Sequence, residues 1–431
     1  MTNADAQKFL KDNGLDVDAI DRRGLLDAFA FEMANGLAGK PSTLMMIPSF
    51  IAIDKPVKTD MPVVVLDAGG TNLRRAVVRI DRKGKVAISD FAERDMPGSK
   101  SHVELNEFFQ IFADFVEPVM KVSASIGFCF SYAAEITPDR DAILLHWSKE
   151  IDAPAVVGKL IGKGLKQQLA RKRLAPRITI LNDTVATLLA GKSMGVTKDY
   201  SAYIGFILGT GTNTAYLEQN SRITKRTDLD PAGSMVINIE SGAFGKIGQS
   251  SFDKLLDQGT STPGTYVFEK MISGGYLGKL GMVVLKQAAR AGFFSAATRE
   301  KIGQMAELSS EHLGNFCGEK IEASNPLSDP AIGPDDGELV RQLCTPVFAR
   351  SAVLTAVNLA SAILKTGQGK DPKRPVCVNV DGSTYYKTLA ADFQNRVQRE
   401  LADLVRPTGV AYELVQVDRS PTIGAAVAGL M

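Results

Sequence analysis

Val63-Val64-Val65-Leu66-Asp67-Ala68-Gly69-Gly70-Thr71-Asn72-Leu73-Arg74-Arg75-Ala76-Val77-Val78-Arg79-Ile80 is a pair of β-branched apolar runs around a short polar turn. The two runs flanking a tight turn predict an antiparallel hairpin, and the turn carries more chemistry than a hairpin needs. Gly69 and Gly70 let backbone N–H groups approach an anion, Thr71 and Asn72 add side-chain donors, and Asp67 at the strand end suits a hydrated Mg²⁺. A phosphate tail fits that set, and so does an ordinary turn rich in Gly and Asn.

Further along, Tyr203-Ile204-Gly205-Phe206-Ile207-Leu208-Gly209-Thr210-Gly211-Thr212-Asn213-Thr214-Ala215-Tyr216-Leu217 repeats the pattern, with Gly211-Thr212-Asn213 matching Gly70-Thr71-Asn72. Two such turns predict a duplicated nucleotide-binding core in which each half holds one side of a polyphosphate. The segment 200–217 carries no charge, yet its turn breaks it in the middle, so it reads as a buried hairpin rather than a membrane span.

The strands that follow the first hairpin end on polar groups. Ser125-Ile126-Gly127-Phe128-Cys129-Phe130-Ser131-Tyr132 hands Ser131 to a strand terminus, where ligands of open α/β sheets collect, though routine termini look the same. Arg177-Ile178-Thr179-Ile180-Leu181-Asn182-Asp183-Thr184 is a strand running into a helix. Asp183 is either the helix N-cap or, beside Asn182, a base for a substrate hydroxyl. The three histidines, His102, His146 and His312, have no comparable setting. Ser148-Lys149, after the single tryptophan Trp147, suits sugar hydroxyls or a phosphate, or is simply solvated. Glu240 ends the apolar run Met235–Ile239, and Glu269 lies in a helical segment where a salt bridge to a nearby lysine is the plainer reading. Asp381-Gly382-Ser383 closes another strand with a turn suited to adenine and ribose.

Around these motifs the pattern predicts helices within 16–39, 103–122, 277–290, 300–308, 339–364, 390–404 and 422–430, and strands at 86–91 and 412–417. A Pro/Gly/Asp-rich stretch at 325–337 interrupts the helical region.

The chain has 431 residues, 45% hydrophobic and 23% charged, enough for two or more domains with sizeable cores. Its net charge of +2 comes from 50 basic and 48 acidic residues, dispersed apart from Arg171-Lys172-Arg173. That balance argues against a nucleic-acid or membrane-surface partner. Cys129, Cys317, Cys344 and Cys377 show no Cys-x-x-Cys spacing and read as free thiols in a reducing compartment. The stretch Met1–Lys8 has no apolar core of a signal peptide, so the expected location is cytoplasmic.

Taken in order, Asp67–Arg74, Gly127–Tyr132, Ser148-Lys149, Asn182-Asp183-Thr184, Gly209–Asn213, Ile237–Glu240, Phe268–Met271 and Asp381–Ser383 resemble the motif series of the hexokinase family, within the actin-like sugar-kinase superfamily. The likeness is to the single-unit hexokinases and glucokinases of bacteria and lower eukaryotes. It implies an α/β, two-domain actin-like (ribonuclease H-like) sugar kinase fold with duplicated mixed β-sheet cores and an interdomain cleft. The small domain would be 60–181 plus 418–431, with the first phosphate hairpin and the sugar loops. The large domain would be 1–59 plus 182–417, with the second hairpin and the adenosine site. The implied reaction moves the γ-phosphoryl group of ATP to the 6-hydroxyl of a hexose, with D-glucose first and fructose or mannose as alternatives.

The resemblance assigns Asp183 as general base, and Ser131, Ser148, Lys149, Asn182, Asn213, Glu240 and Glu269 to the sugar. Asp67, Gly69, Gly70, Thr71, Asn72, Gly209, Thr210, Gly211, Gly382 and Ser383 would bind ATP. Mg²⁺ would be held by the ATP phosphates, with Asp67 and Asp183 reaching it through water. The assembly would be a monomer or a homodimer. Four positions depart from the family pattern: Ala133 replaces a proline, Ser148 a threonine, Glu150 a glycine and Ser241 an aromatic residue. Glu150 and Ser241 flank the expected sugar site and bear on the choice of hexose. A sugar sensor without turnover, or an ATPase of the chaperone or filament kind, would share the core. An intact Asp183 argues against the sensor, and Glu240, Glu269 and Ser148-Lys149 argue against the ATPase.

Overall fold

The strand Pro62–Gly69 is buried from Val63 to Ala68, as a central strand covered on both faces must be. Its side chains divide with a period of two: Val64, Leu66 and Ala68 enter one core with Phe108, Phe112 and Phe128, while Val63 and Val65 enter another with Val185 and Ala425. The computed structural model describes residues 3–53, 56–147, 151–195, 198–320 and 322–431.

Two mixed sheets share one topology. In the first, Val86–Asp95, Asn72–Ile80 and Pro62–Gly69 run antiparallel, followed by Ser125–Phe130 and Arg177–Leu181 in parallel. In the second, Ser234–Asn238, Thr212–Gln219 and Ala202–Leu208 are the antiparallel set, and Val376–Asp381 and Tyr412–Val415 continue in parallel. The short strand Ile47–Pro48 adds an outer edge beyond Ser234–Asn238. The duplicated core expected from the paired hairpins is therefore present.

Between the sheets two helices cross, Asp183–Met194 and Ser420–Leu430, and their packing depends on missing side chains. A Cβ on Gly424 would lie 1.8 Å from the Ala186 carbonyl oxygen, and one on Gly127 would lie 1.8 Å from that of Ala425. The Asp183 helix rests on the second sheet, where a Cβ on Gly205 would lie 2.4 Å from the Thr184 oxygen. The C-terminal helix rests on the first. Backbone-to-backbone approach of this kind leaves no space for even a methyl group.

The helical layer beside the second sheet is built on Pro334–Thr366, a 33-residue helix. It is long and apolar enough to cross a membrane, but 94% of its most apolar window is buried inside the protein. It starts with Pro334 in its first turn, so the expected break at 325–337 ends earlier than its composition suggested, and it continues through Pro346. Other boundaries shift for local reasons. The helix at 16–39 is confined to Arg22–Leu37 by the Asp21 cap, and a further helix, Asn3–Asp12, precedes it. The helix expected at 103–122 ends at Val116, before the short 3₁₀ turn that contains Pro118. The strand at 86–91 extends to Asp95.

Candidate active site

The two glycine-rich turns are not identical copies. The first joins Gly69 to Asn72 through Gly70 and Thr71 alone, with Gly70 at a φ of +68°. The second spans three residues, Gly209 to Gly211, between Leu208 and Thr212. The extra residue is taken up by packing against other glycines. The Gly209 carbonyl accepts bonds from the Gly274 N–H (2.8 Å) and Thr384 Oγ1 (2.9 Å), and the Thr210 carbonyl accepts one from the Gly275 N–H (2.9 Å). Gly382, at a φ of +111°, lies so near that a Cβ on it would meet the Leu208 oxygen at 2.3 Å. Gly209–Gly211, Gly274-Gly275 and Gly382-Ser383 thus form one surface, to which Gly274-Gly275 adds a segment outside the motifs read from the sequence.

Asp183 opens its helix at the carboxyl end of Arg177–Leu181. The cap is Asn182, whose Oδ1 accepts the Thr184 N–H at 2.8 Å. Of the two readings of Asp183, the N-cap is taken by Asn182, and the Asp183 Oδ1 instead accepts the Thr184 hydroxyl at 3.3 Å. The negative charge of Asp183 acts on Asp67, Glu240 and Asp381, so groups from both sheets converge on it. Burial is the main cause that raises the Asp67 carboxyl above its usual range, opposed by Arg74 and reinforced by Asp183. Arg74 lies 3.5 Å from Asp67 but also pairs with Glu93 at 3.1 Å, so its charge is shared. Asp381 is raised by burial and by the Asp183 and Asp418 charges. Sequence reading quoted Asp381 only as a strand end, since a single acid before Gly carries no periodic signal.

Glu240 sits in a left-handed conformation (φ 57°, ψ 50°) after Ser234–Asn238. Its Oε1 accepts the side-chain amides of Asn238 (2.7 Å) and Asn213 (2.9 Å). Burial raises its carboxyl above the ordinary carboxylate range despite those bonds. Asn213 is spoken for on both ends: its amide also donates to Asn238 Oδ1, while its own oxygen accepts the N–H groups of Thr214 (2.7 Å) and Ser241 (3.3 Å). In this geometry Asn213 positions Glu240.

Glu269 accepts the Thr212 N–H at 2.9 Å, which joins it to the second turn. Its carboxyl is also raised by burial. The salt bridge expected for it is absent among the described residues, because the adjacent Lys270 is held by Asp257 (2.5 Å), Thr260 and Thr262.

Ser131 follows the strand end, donating its N–H to the Ala68 carbonyl at 2.9 Å beside the first turn. Trp147 is not an open wall of the cleft: it packs in an aromatic cluster with Phe108, Phe130 and Tyr132, and its Nε1 donates to the Ala153 carbonyl at 2.9 Å. Ser148, Lys149 and Glu150 lie outside the described residues. Ser241 does not border the cleft as expected. It is fully buried, with its Oγ 3.0 Å from Thr214 Oγ1 and 3.4 Å from Asn358 Nδ2.

Two glycine turns, set beside carboxylates at the strand ends of duplicated sheets, define a protein of the actin-like sugar-kinase class. The hexokinase family models match residues 6–193 and 203–431, and the chain belongs to the hexokinase family. It is 28% identical over 438 residues to the hexokinase of Schistosoma mansoni, covering 96% of this chain and 94% of that one. It is 29% identical over 420 residues to Hexokinase-1 of Rattus norvegicus, where 90% of this chain spans 44% of the relative's length. The solved hexokinase of Schistosoma mansoni, complexed with glucose, superposes with a TM-score of 0.80 at 26% identity, each chain covered completely.

Proposed function

We propose that the chain is an ATP-dependent hexokinase that transfers the γ-phosphoryl group to the 6-hydroxyl of a hexose, with D-glucose as the preferred acceptor. The observation that carries this reading is the placement of Asp67 and Asp183 at strand ends of the first sheet and of Glu240 and Asp381 at strand ends of the second, beside two glycine turns. A pure binder has no use for a carboxylate at that strand end, whereas phosphoryl transfer needs one acceptor for the hydroxyl proton. The Schistosoma mansoni relative solved with glucose supports the choice of sugar.

In the mechanism, Glu240 and Glu269 accept sugar hydroxyls, and the bonds from Asn238, Asn213 and Thr212 fix their carboxylates in advance. Asn182 spends its oxygen on the cap and keeps its amide for a hydroxyl. Asp183 accepts the proton of the attacking hydroxyl. The first and second turns bind phosphate oxygens through N–H groups, and the surface made by Gly274-Gly275 and Gly382-Ser383 faces the nucleoside. Closure of the two sheets toward each other excludes water, the competing acceptor.

The described residues contain no cluster of three or more metal-ligating side chains, which suits a cation held largely by phosphates with one or two carboxylates. Asp67, raised by burial and near the Asp183 charge, is an incompletely compensated anion of the required kind. Asp67 and Asp183 would hold a hydrated Mg²⁺, which when bound supplies positive charge against the phosphates.

The near-neutral charge supports an enzyme without a nucleic-acid or membrane-surface partner, the four free cysteines fit a reducing, cytoplasmic setting, and the proposed assembly is a monomer or homodimer. The test is ADP formation from Mg-ATP with and without glucose, fructose, mannose or N-acetylglucosamine. Strong stimulation by glucose is the expected result. Silence with every sugar, in folded protein that binds ATP, would replace the kinase with a sensor.

A further inference from the structure

The first turn is held from behind by a residue that the reaction itself does not require. Tyr132 is 4% exposed, and its hydroxyl donates to the Gly70 carbonyl oxygen at 2.7 Å. Gly70 is the positive-φ residue of the two-residue turn. The other turn carbonyl, that of Thr71, accepts the Met96 N–H at 2.8 Å. A trans peptide holds its C=O and the next N–H in opposite directions. Anchoring the Gly70 oxygen therefore aims the Thr71 N–H away from the protein, toward the side where a phosphate would lie.

The Tyr132 ring is fixed in turn. It meets Trp147 edge to face, with centroids 5.0 Å apart and planes at 90°, and Trp147 is tied to Ala153 through its indole N–H. The adjoining Asp152 donates its N–H to the Gly98 carbonyl and accepts the Val103 N–H. The hydroxyl that anchors the turn is thus held by a packed aromatic pair on a bonded backbone segment.

The geometry points to Tyr132 as a positioning residue for the nucleotide: its hydroxyl presets the first turn to receive a phosphate group of ATP. The inference rests on the kinase reading above. It concerns a hydroxyl alone, so Tyr132→Phe keeps the ring, the contact with Trp147 and the neighbouring Ser131.

The experiment compares wild type with Tyr132→Phe in the sugar-dependent ADP assay, with calorimetric binding of a non-hydrolysable ATP analogue and thermal unfolding alongside. One neutral hydrogen bond contributes about 1 kcal/mol, so the expected change is a rise of about fivefold, within about three- to tenfold, in the KM for Mg-ATP, with the KM for sugar within about twofold. The analogue should weaken by the same factor. A KM for Mg-ATP within twofold of wild type, or an equal rise in both KM values, would overturn the inference while leaving the kinase reading intact. A wild type that forms no ADP with any sugar and binds no analogue would overturn the reading and the inference together.

Discussion

Asn182 Oδ1 accepts the Thr184 N–H at 2.8 Å, and that bond separates the structural and chemical tasks of two adjacent residues. Asn182 caps the helix, and Asp183 begins it. Asp183→Ala therefore removes a base without removing a cap. Turnover should fall by a factor on the order of 10² or more, with sugar affinity within about tenfold and little change in melting temperature. Asn182→Ala should instead cost about 1 kcal/mol of stability as well as activity. Turnover of Asp183→Ala near that of wild type would remove the base from the mechanism.

Glu240 carries a cost in the unliganded fold. Burial raises its carboxyl above the ordinary value of 4.5, so folding takes up protons there. Above the folded pKa the charge opposes stability, and this penalty fades as the pH falls and is gone below 4.5. Glu240→Gln keeps an oxygen for the Asn213 and Asn238 amides while deleting the charge. Its melting temperature should exceed wild type at pH 8, with the gap closing toward pH 5. Its affinity for the sugar should fall about tenfold or more, as expected for losing a charged acceptor. A variant less stable than wild type at pH 8 would show that the charge is compensated.

The buried pair Arg350–Asp253, at 2.6 Å, has the opposite sign. Burial alone would raise the Asp253 carboxyl, but Arg350 and the Ser250 hydrogen bonds outweigh it and hold it below the usual range. Its contribution is present above the unfolded pKa near 3.8 and is lost as the pH falls through the depressed folded value. Arg350→Leu strands the acid and should cost about 3–5 kcal/mol in urea unfolding. A loss under about 1 kcal/mol would mean that solvent reaches Asp253.

The helix crossing between the sheets gives a test of the fold. A Cβ on Gly424 would lie 1.8 Å from the Ala186 oxygen, with backbone rather than a flexible side chain in the way. Gly424→Ala should destabilise the protein by about 1–3 kcal/mol, read as a lower urea midpoint at unchanged slope. An unchanged midpoint would mean that the two helices slide apart freely.

Both hairpins were legible because strands covered on both faces read as continuous apolar runs, which flank the Gly-rich turns in Val63–Ile80 and Tyr203–Leu217. The unequal turns were not, since Gly70-Thr71-Asn72 and Gly211-Thr212-Asn213 align as letters while differing by one residue in the loop. Asp183 could be read from its place after an apolar strand. That Asn182 rather than Asp183 caps the helix could not, because Asn and Asp are equally good caps and only geometry chooses between them. Tyr132 escaped notice for a related reason: its ring fits the buried strand pattern, and nothing local shows that its hydroxyl reaches 62 positions back to Gly70.

Ser241 shows the same limit from the other side, since its position after Glu240 suggested contact with the sugar. The structure instead buries it completely against Thr214 and Asn358, a residue of the long helix. Ser241→Ala should therefore act on stability, costing about 1–3 kcal/mol for buried polar groups left short of a partner. The KM for the sugar should stay within about threefold, because the Ser241 N–H that bonds Asn213 is untouched. A large rise in that KM at unchanged stability would return Ser241 to the cleft and mean that the Thr214–Ser241–Asn358 contacts open when the sugar binds.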